Sequence, residues 1–209
     1  MDGAPEVTAF ILAGGKSTRM GKDKAFVEFE GRTLLARALE LMASVASDVR
    51  IVGSREKFAT FAPVVEDVFR DCGPLGGIHA ALRKSATDIN LMLAVDMPFV
   101  SGALLRYLIG QAEKSEEAAA VVPRGKEGWQ PLCALYRRDF ADTAEDALRA
   151  GQNKIDRLFE KVQVREIAQD ELDRAGFAPA IFRNLNTPDE LEAERGAGQF
   201  PVPPRKGND

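Results

Sequence analysis

Short apolar runs alternate along the first half of the chain with segments whose apolar residues recur at helical spacing. The first run, residues 7–13, is continuously apolar, which is typical of a strand buried on both faces of a parallel sheet. The pattern predicts three further strands in this half, at 49–52, 64–65 and 89–95. It predicts helices at 33–46, from the glycine-rich segment to Lys84, and after Ser101, a suitable N-cap. This alternation indicates an α/β sandwich.

The second half of the chain is less regular but continues the same theme. The pattern predicts extended segments at 118–122, 132–136 and 162–167, and helices at 140–149, 155–159 and from Pro188, where Thr187 could serve as the cap. Beyond about Arg195, glycine, proline and charged residues dominate, and disorder is expected for 196–209. A length of 209 residues suits one compact domain, which we expect to span 1–195.

Composition and charge narrow the class of protein. The formal net charge is −4 and the sequence pI is about 5.3, which disfavours an extended nucleic-acid surface. No apolar run approaches the roughly 18 residues of a membrane span, and the N-terminus does not have the pattern of a signal peptide. Cys72 and Cys133 lie far apart without the spacing of zinc ligands. We therefore expect a cytoplasmic protein with reduced thiols and with neither a nucleic-acid nor a membrane partner.

The loop after the first predicted strand combines glycines with cations. Gly14 and Gly15 let the backbone approach an anion without a Cβ in the way. Four cations follow that could neutralise phosphate charge: Lys16, Arg19, Lys22 and Lys24. The loop is not a Walker A motif, because Phe10 stands where that motif requires glycine, and it does not fit G-x-G-x-x-G. A phosphate-binding loop and an ordinary glycine-rich loop both remain open from these residues alone.

A carboxylate follows the buried run at 89–95. Asp96 stands where the strand ends, and ligands of open α/β sheets collect beyond the carboxyl ends of strands. Mg²⁺ prefers one or two protein oxygens together with phosphate oxygens and water. Asp96 is therefore a candidate metal ligand, and the alternative is an aspartate that begins a turn before Pro98.

The glycine-rich loop resembles the signature of the molybdenum cofactor guanylyltransferase family. The family pattern L-A-G-G-x-S-x-R-M-G-x-D-K is matched at Leu12, Ala13, Gly14, Gly15, Ser17, Arg19, Met20, Gly21, Asp23 and Lys24. The resemblance implies a three-layer, Rossmann-like nucleotidyltransferase sandwich with a mostly parallel central sheet. It also implies backbone contacts to a guanine nucleotide from Leu12, Ala13, Gly14 and Gly15, and phosphate binding by Lys24. Arg19 is added here as a second phosphate-binding candidate, and Asp96-Met-Pro is similar to the family's Asp-x-Pro metal motif.

The resemblance also implies nucleotide contacts at three sites later in the chain. Asp67 aligns with an aspartate that contacts the nucleotide in similar proteins, and a solvated loop charge is the alternative. Gly73, Pro74 and Leu75 match the family's G-P-L-x-G segment, where small residues let the base approach, although a turn at a helix start also explains them. Gly53 departs from relatives that carry a nucleotide-contacting asparagine, so only its backbone remains for such a contact.

The C-terminal half is expected to bind the acceptor. Asn184 and Asn186 lie in a segment similar to the family's N-x-N-T-P-E-E-L, and period-two spacing directs both amides to one side of a strand. They could orient the pterin or complete the metal's outer shell, whereas local turn-forming hydrogen bonds are the alternative. Trp129 could stack on a pterin or simply pack in the core.

The resemblance implies a nucleotidyl transfer reaction. The terminal phosphate of molybdenum-bound molybdopterin would attack the α-phosphate of GTP, with Arg19, Lys24 and Asp96 as catalytic residues and Mg²⁺ as cofactor. Molybdoenzymes or their maturation chaperones are the partners expected to receive the product. The alternatives are a cytidylyltransferase acting on the same pterin, a sugar-phosphate nucleotidyltransferase, and a non-catalytic nucleotide-binding maturation protein.

Overall fold

The computed structural model describes residues 6–14 and 23–185. The strands are β1 (Val7–Leu12), β2 (Glu28–Phe29), β3 (Arg32–Thr33), β4 (Asp48–Val52), β5 (Val64–Val65), β6 (Ile89–Ala94), β7 (Ala120–Gly125), β8 (Gly128–Trp129), β9 (Cys133–Arg137) and β10 (Val164–Ala168). The α-helices are α1 (Leu34–Ala43), α2 (Arg55–Phe58), α3 (Pro74–Lys84), α4 (Gly102–Glu113), α5 (Phe140–Arg149) and α6 (Gln169–Arg174). Short 3₁₀ turns cover Lys24–Phe26, Ile155–Leu158 and Pro179–Phe182.

The described strands form one large sheet and a separate β2–β3 hairpin. The order across the large sheet is β10-β7-β9-β6-β1-β4-β5, with β8 paired to the end of β7. Strands β4, β5 and β6 run parallel to β1, whereas β9 is antiparallel to both of its neighbours. The chain leaves β1 towards β4 and β5 and returns on the other side of β1 as β6, so the strand order reverses beside β1. Such a reversal opens a crevice at the carboxyl ends of the strands.

Helices cover both faces of the sheet, because β1 is apolar on both sides. Ala9 and Ile11 contribute to the core beneath α1 and α4, whereas Phe10 contributes to the core beneath α3 and α5. Alternate residues of a strand point to opposite faces, so a continuous apolar run serves both cores. This arrangement confirms the predicted three-layer α/β fold.

Helix caps fall close to the positions expected from the sequence. The Thr33 hydroxyl accepts a hydrogen bond from the Ala36 N–H at 3.2 Å, and the Ser101 hydroxyl accepts one from the Leu104 N–H at 3.3 Å. Both are N-caps that satisfy an otherwise unpaired amide of the first turn. Helix α1 ends at Ala43, earlier than the predicted 46. The Ser44 hydroxyl donates to the Leu41 carbonyl at 2.7 Å there, a local bond typical of helix ends.

The single histidine of the chain lies between α3 and α5. His79 is buried, and its Nε2 lies 3.3 Å from the Glu145 carboxylate. Arg149 and Arg83 also donate to that carboxylate, and these hydrogen bonds lower the pKa of Glu145 from 4.5 to about 2. His79 thus contributes to the contact between α3 and α5.

Several short elements were absent from the sequence prediction. They are the β2–β3 hairpin, α2, β8, α6 and the 3₁₀ turn Pro179–Phe182. The predicted helix from Pro188, the domain boundary at 195 and the disorder expected for 196–209 lie outside the described residues. In the part of the chain that the structure describes, none of the helices combines the length and apolar character needed to cross a bilayer.

Candidate active site

A cleft of about 750 Å³ opens at the carboxyl ends of β1, β4, β5 and β6. Its described lining residues come from the ends of β1, β4 and β6, from the segments that follow β1, β5 and β6, and from the start of α3, with Leu132 before β9. They are Leu12, Ala13, Gly14, Asp23, Lys24, Val52, Asp67, Arg70, Asp71, Gly73, Pro74, Gly77, Ala94, Val95, Asp96 and Leu132. The cleft is therefore at the crevice where the strand order reverses, large enough for a nucleotide and open to solvent.

Backbone hydrogen bonds fix the start of the glycine-rich loop. The Ala13 N–H donates to the Val52 carbonyl at 3.0 Å, and the Leu12 carbonyl accepts from the Val95 N–H at 3.2 Å. These bonds extend the pairing of β1 with both neighbours to the edge of the cleft. Gly14 is exposed, and a Cβ placed there would find its nearest atom, the Val52 carbonyl oxygen, at 3.9 Å. The loop thus starts from a rigid base and presents bare backbone to the cleft.

Lys24 and Asp96 meet across the cleft although they are far apart in sequence. The Lys24 Nζ lies 3.0 Å from the Asp96 Oδ2, and the two side chains are 22% and 19% exposed. Lys24 begins the 3₁₀ turn that precedes the β2–β3 hairpin, and Asp96 lies two residues after the end of β6. Limited solvent strengthens their attraction compared with a surface ion pair. The structure therefore brings together the predicted phosphate-binding cation and the predicted metal ligand.

Asp67 is a half-buried carboxylate on the opposite wall. Its Oδ1 is buried and has no hydrogen-bond partner among the described residues, and burial raises the pKa of Asp67. Helix α3 approaches it closely, because a Cβ at Gly77 would lie only 3.5 Å from that oxygen. An unpaired buried oxygen is costly unless a ligand or water satisfies it. Asp67 is therefore suited to receive a donor group or a cation of a bound ligand.

The start of α3 forms the rim beside Asp67. Gly73 has a φ of +66°, a conformation that side chains other than glycine rarely adopt, and Pro74 occupies the first helical position. Both residues line the cleft, whereas the Leu75 side chain is fully buried in the core. The role of Leu75 in nucleotide binding stays a prediction, and only the backbone of Leu75 could make such a contact.

Two of the remaining predicted residues, Gly53 and Asn184, are not part of the described cleft lining. The Gly53 N–H donates to the Val65 carbonyl at 3.0 Å, and Gly53 is not among the cleft-lining residues. Asn184 is exposed, but its neighbour Leu185 donates its N–H to the Asp96 carbonyl at 2.9 Å, so this segment runs beside the metal candidate. Gly15, Arg19 and Asn186 lie outside the described residues.

Sequence reasoning missed three polar residues of the cleft. Asp23 belongs to the matched signature but was given no role, and Arg70 and Asp71 lie between the two predicted segments at Asp67 and Gly73. Asp71 has a φ of +61°, unusual for a residue with a side chain, in the turn that leads into α3. For Arg70 and Asp71, the place between two predicted segments was the only sequence feature that could have indicated a role in the site.

The Trp129 ring is already in contact on two sides. Its ring centroid lies 5.0 Å from that of Phe159, and the Arg124 guanidinium lies 5.1 Å above the ring. Trp129 is not among the residues that line the described cleft. These contacts favour the packing interpretation of this tryptophan over pterin stacking.

The donor set of the cleft suits a hard divalent cation. Asp96 supplies a carboxylate oxygen to the cleft near the carboxyl end of β6. Mg²⁺ is typically held by one or two carboxylates, with phosphate oxygens and water completing its octahedral shell. The residues present therefore fit the predicted Mg²⁺.

Comparison with known proteins gives one consistent family. Residues 9–169 match the model of the MobA-like NTP transferase domain. The chain is 36% identical over 194 residues to the molybdenum cofactor guanylyltransferase of Desulfosudis oleivorans, covering 91% of this chain and 95% of the relative. It is 35% identical over 192 residues to a probable molybdenum cofactor guanylyltransferase of Pelotomaculum thermopropionicum, covering 91% and 92%.

A solved structure agrees with these relatives. The crystal structure of molybdopterin-guanine dinucleotide biosynthesis protein A from Archaeoglobus fulgidus superposes with a TM-score of 0.78 at 30% identity, covering 91% of this chain and 97% of that one. The resemblance inferred from the loop motif is thereby confirmed. The chain belongs to the MobA-like NTP transferase family, among the molybdenum cofactor guanylyltransferases.

Proposed function

We propose that this protein transfers GMP from GTP to molybdenum-bound molybdopterin, forming a guanine dinucleotide cofactor and pyrophosphate. The observation that carries the proposal is the Lys24–Asp96 pair, 3.0 Å apart at the carboxyl ends of β1 and β6, in a chain of this family. The names of the relatives supply the guanine nucleotide and the molybdenum cofactor as substrates.

The nucleotide would lie along the cleft, with its phosphates over the glycine-rich loop. Backbone groups of Leu12, Ala13, Gly14 and Gly15 would approach the nucleotide, because glycines leave the backbone accessible. Asp67, the segment Gly73, Pro74 and Leu75, and the backbone of Gly53 would contact the nucleoside part.

The reaction would depend on positioning and charge stabilisation. The attacking phosphate of molybdopterin is already anionic and needs no general base. Lys24 and Arg19 would stabilise the charge that develops on the α-phosphate during in-line displacement, as preorganised cations do in phosphate transfer. Asp96 would hold the Mg²⁺, which would neutralise charge on the phosphate oxygens. The bond from the α-phosphorus to the bridging oxygen would break, and pyrophosphate would leave.

The acceptor would approach from the side of β7, β9 and the segment before residue 186. Asn184 lies next to the residue that bonds the Asp96 backbone, and together with Asn186 it would orient the pterin. We also propose that the protein acts in the cytoplasm and that molybdoenzymes or their maturation chaperones take the product.

The proposal is tested by pyrophosphate release with loaded molybdopterin and Mg²⁺, comparing GTP, CTP and ATP in parallel. Release that requires the acceptor and prefers GTP is expected. A preference for CTP would instead identify a cytidylyltransferase. Nucleotide binding without release would favour a non-catalytic maturation protein.

A further inference from the structure

The turn that carries Lys24 rests on α2. Asp23, the residue before the turn, forms an ion pair with Lys57, and the Lys57 Nζ lies 2.7 Å from the Asp23 Oδ2. Phe26, the last residue of the turn, stacks on Phe58, with ring centroids 5.8 Å apart and planes inclined by 29°. Two consecutive residues of α2 thus hold the residue before the turn and the last residue of the turn.

Asp23 is fixed by both of its carboxylate oxygens. Oδ1 accepts the Ala25 N–H at 3.2 Å and so caps the turn, while Oδ2 binds Lys57. Asp23 is 21% exposed, whereas Lys57 is 54% exposed and reaches the carboxylate from the solvent side. The backbone of Lys24 lies between this bonded side chain and the stacked ring of Phe26, so movement of either contact moves Lys24.

Gly53 makes room for this arrangement. A Cβ at position 53 would lie 2.9 Å from Cε2 and 3.1 Å from Cδ2 of the Phe58 ring, which is 1% exposed. Any larger side chain there would displace the ring that supports Phe26. At the position where relatives carry asparagine, the space beside Gly53 is therefore filled by the Phe58 ring.

We propose that Lys57 and Phe58 are positioning residues that hold Lys24 against Asp96, with Gly53 providing the space for the Phe58 ring. The inference rests on the proposed function, since it takes Lys24 as a phosphate ligand. Lys57 does not line the cleft and contacts Asp23, which does, so it acts on the nucleotide only through Asp23 and the turn that carries Lys24. If Lys57 only stabilised the fold, the effect of replacing it on GTP binding would not depend on whether Lys24 is present.

A double-mutant cycle on GTP binding tests this dependence without requiring turnover. The dissociation constant for Mg²⁺-GTP is measured by calorimetry for the wild type, Lys57→Met, Lys24→Met and the double variant. Lys57→Met should weaken binding about fivefold in the wild type and less than about twofold in the Lys24→Met background, because coupled residues are not additive. Lys57→Arg should restore binding. Lys114→Met, which removes an exposed charge at the end of α4, is the matched control and should bind as the wild type does.

Equal weakening by Lys57→Met in both backgrounds would overturn the inference, because Lys57 would then act through the charge of Asp23 or through the fold and not through the position of Lys24. Such a result would leave the proposed function intact. Unchanged GTP binding in Lys24→Met would instead refute the phosphate-binding role of Lys24 and the positioning with it. Pyrophosphate release, measured separately, decides the proposed function.

A second pair of variants tests the role of Gly53. Gly53→Ala should weaken GTP binding when Phe58 is present, since the new methyl group displaces the ring. The same change in a Phe58→Leu background should have a smaller effect, because the branched chain leaves more room. An equal effect of Gly53→Ala in both backgrounds would show that Gly53 acts on the nucleotide independently of Phe58.

Discussion

Replacing Gly76 by alanine tests how closely α3 packs against the loop that carries Asp67. A Cβ at Gly76 would lie 2.8 Å from the Phe69 carbonyl oxygen, a backbone atom that cannot rotate away. Overpacking of this kind costs about 1–3 kcal/mol. Alanine regains about 1 kcal/mol relative to glycine in a helix interior and less at Gly76, which lies in the first turn of α3. The net expectation is a loss of about 1 kcal/mol of unfolding free energy.

Gly110→Ala is the matched control for this prediction. Gly110 is also inside a helix, α4, but the nearest atom to a Cβ there is the Glu113 Oε2 at 4.0 Å. This variant should gain about 0.5–1 kcal/mol, because only the helix propensity changes. Urea unfolding followed by circular dichroism measures both variants, with equal denaturant slopes as a check on the comparison. Equal stabilisation of the two variants would refute the close approach of Phe69 to Gly76.

Three further predictions follow from single side chains. Asp96→Asn keeps the shape of the side chain but not its charge, and should reduce Mg²⁺-dependent pyrophosphate release at least about 100-fold while circular dichroism shows the native fold; wild-type turnover would contradict the metal role. Glu145→Gln should lower Tm at pH 7 but hardly at pH 2, because Arg149 holds the pKa of Glu145 at about 2. The stability that the Glu145 carboxylate contributes is present above its ordinary pKa of 4.5 and is lost as the pH falls towards 2. A Tm difference between wild type and variant that does not change with pH would refute this role of the carboxylate. A thiol reagent should modify Cys72 but not Cys133 in the native protein, because burial raises the pKa of Cys133 to about 12; labelling of both would contradict this.

The layers of the fold were predictable because a strand that is buried on both faces needs apolar residues at nearly every position. Residues 7–13 and 89–95 show such apolar runs, interrupted only by Thr8 and Asn90, and they form the central strands β1 and β6. The helix at 140–149 was predicted with its observed bounds, since its apolar residues recur at helical spacing. The hairpin β2–β3 and helix α2 were missed, because elements of two to four residues are too short to show a period.

The site was predictable where a motif fixes both residue type and place. Lys24 and Asp96 were both predicted to be catalytic residues, and their side chains lie 3.0 Å apart. Arg70 was missed because an exposed arginine in a loop looks like ordinary surface charge, and only its place between Asp67 and Gly73 could have indicated a role. The support of the Lys24 turn by Lys57 was also beyond sequence reasoning, since it depends on a contact between segments that no periodicity relates.

The most direct test of the central claim follows the phosphates of GTP. The protein, Mg²⁺ and molybdenum-bound molybdopterin are incubated with GTP labelled at either the α- or the γ-phosphate, and the pterin product is separated. Nucleotidyl transfer predicts that the α label moves to the pterin and the γ label leaves in pyrophosphate. Transfer of the γ label to the pterin, or release of γ label as orthophosphate without any α label in the product, would contradict the account.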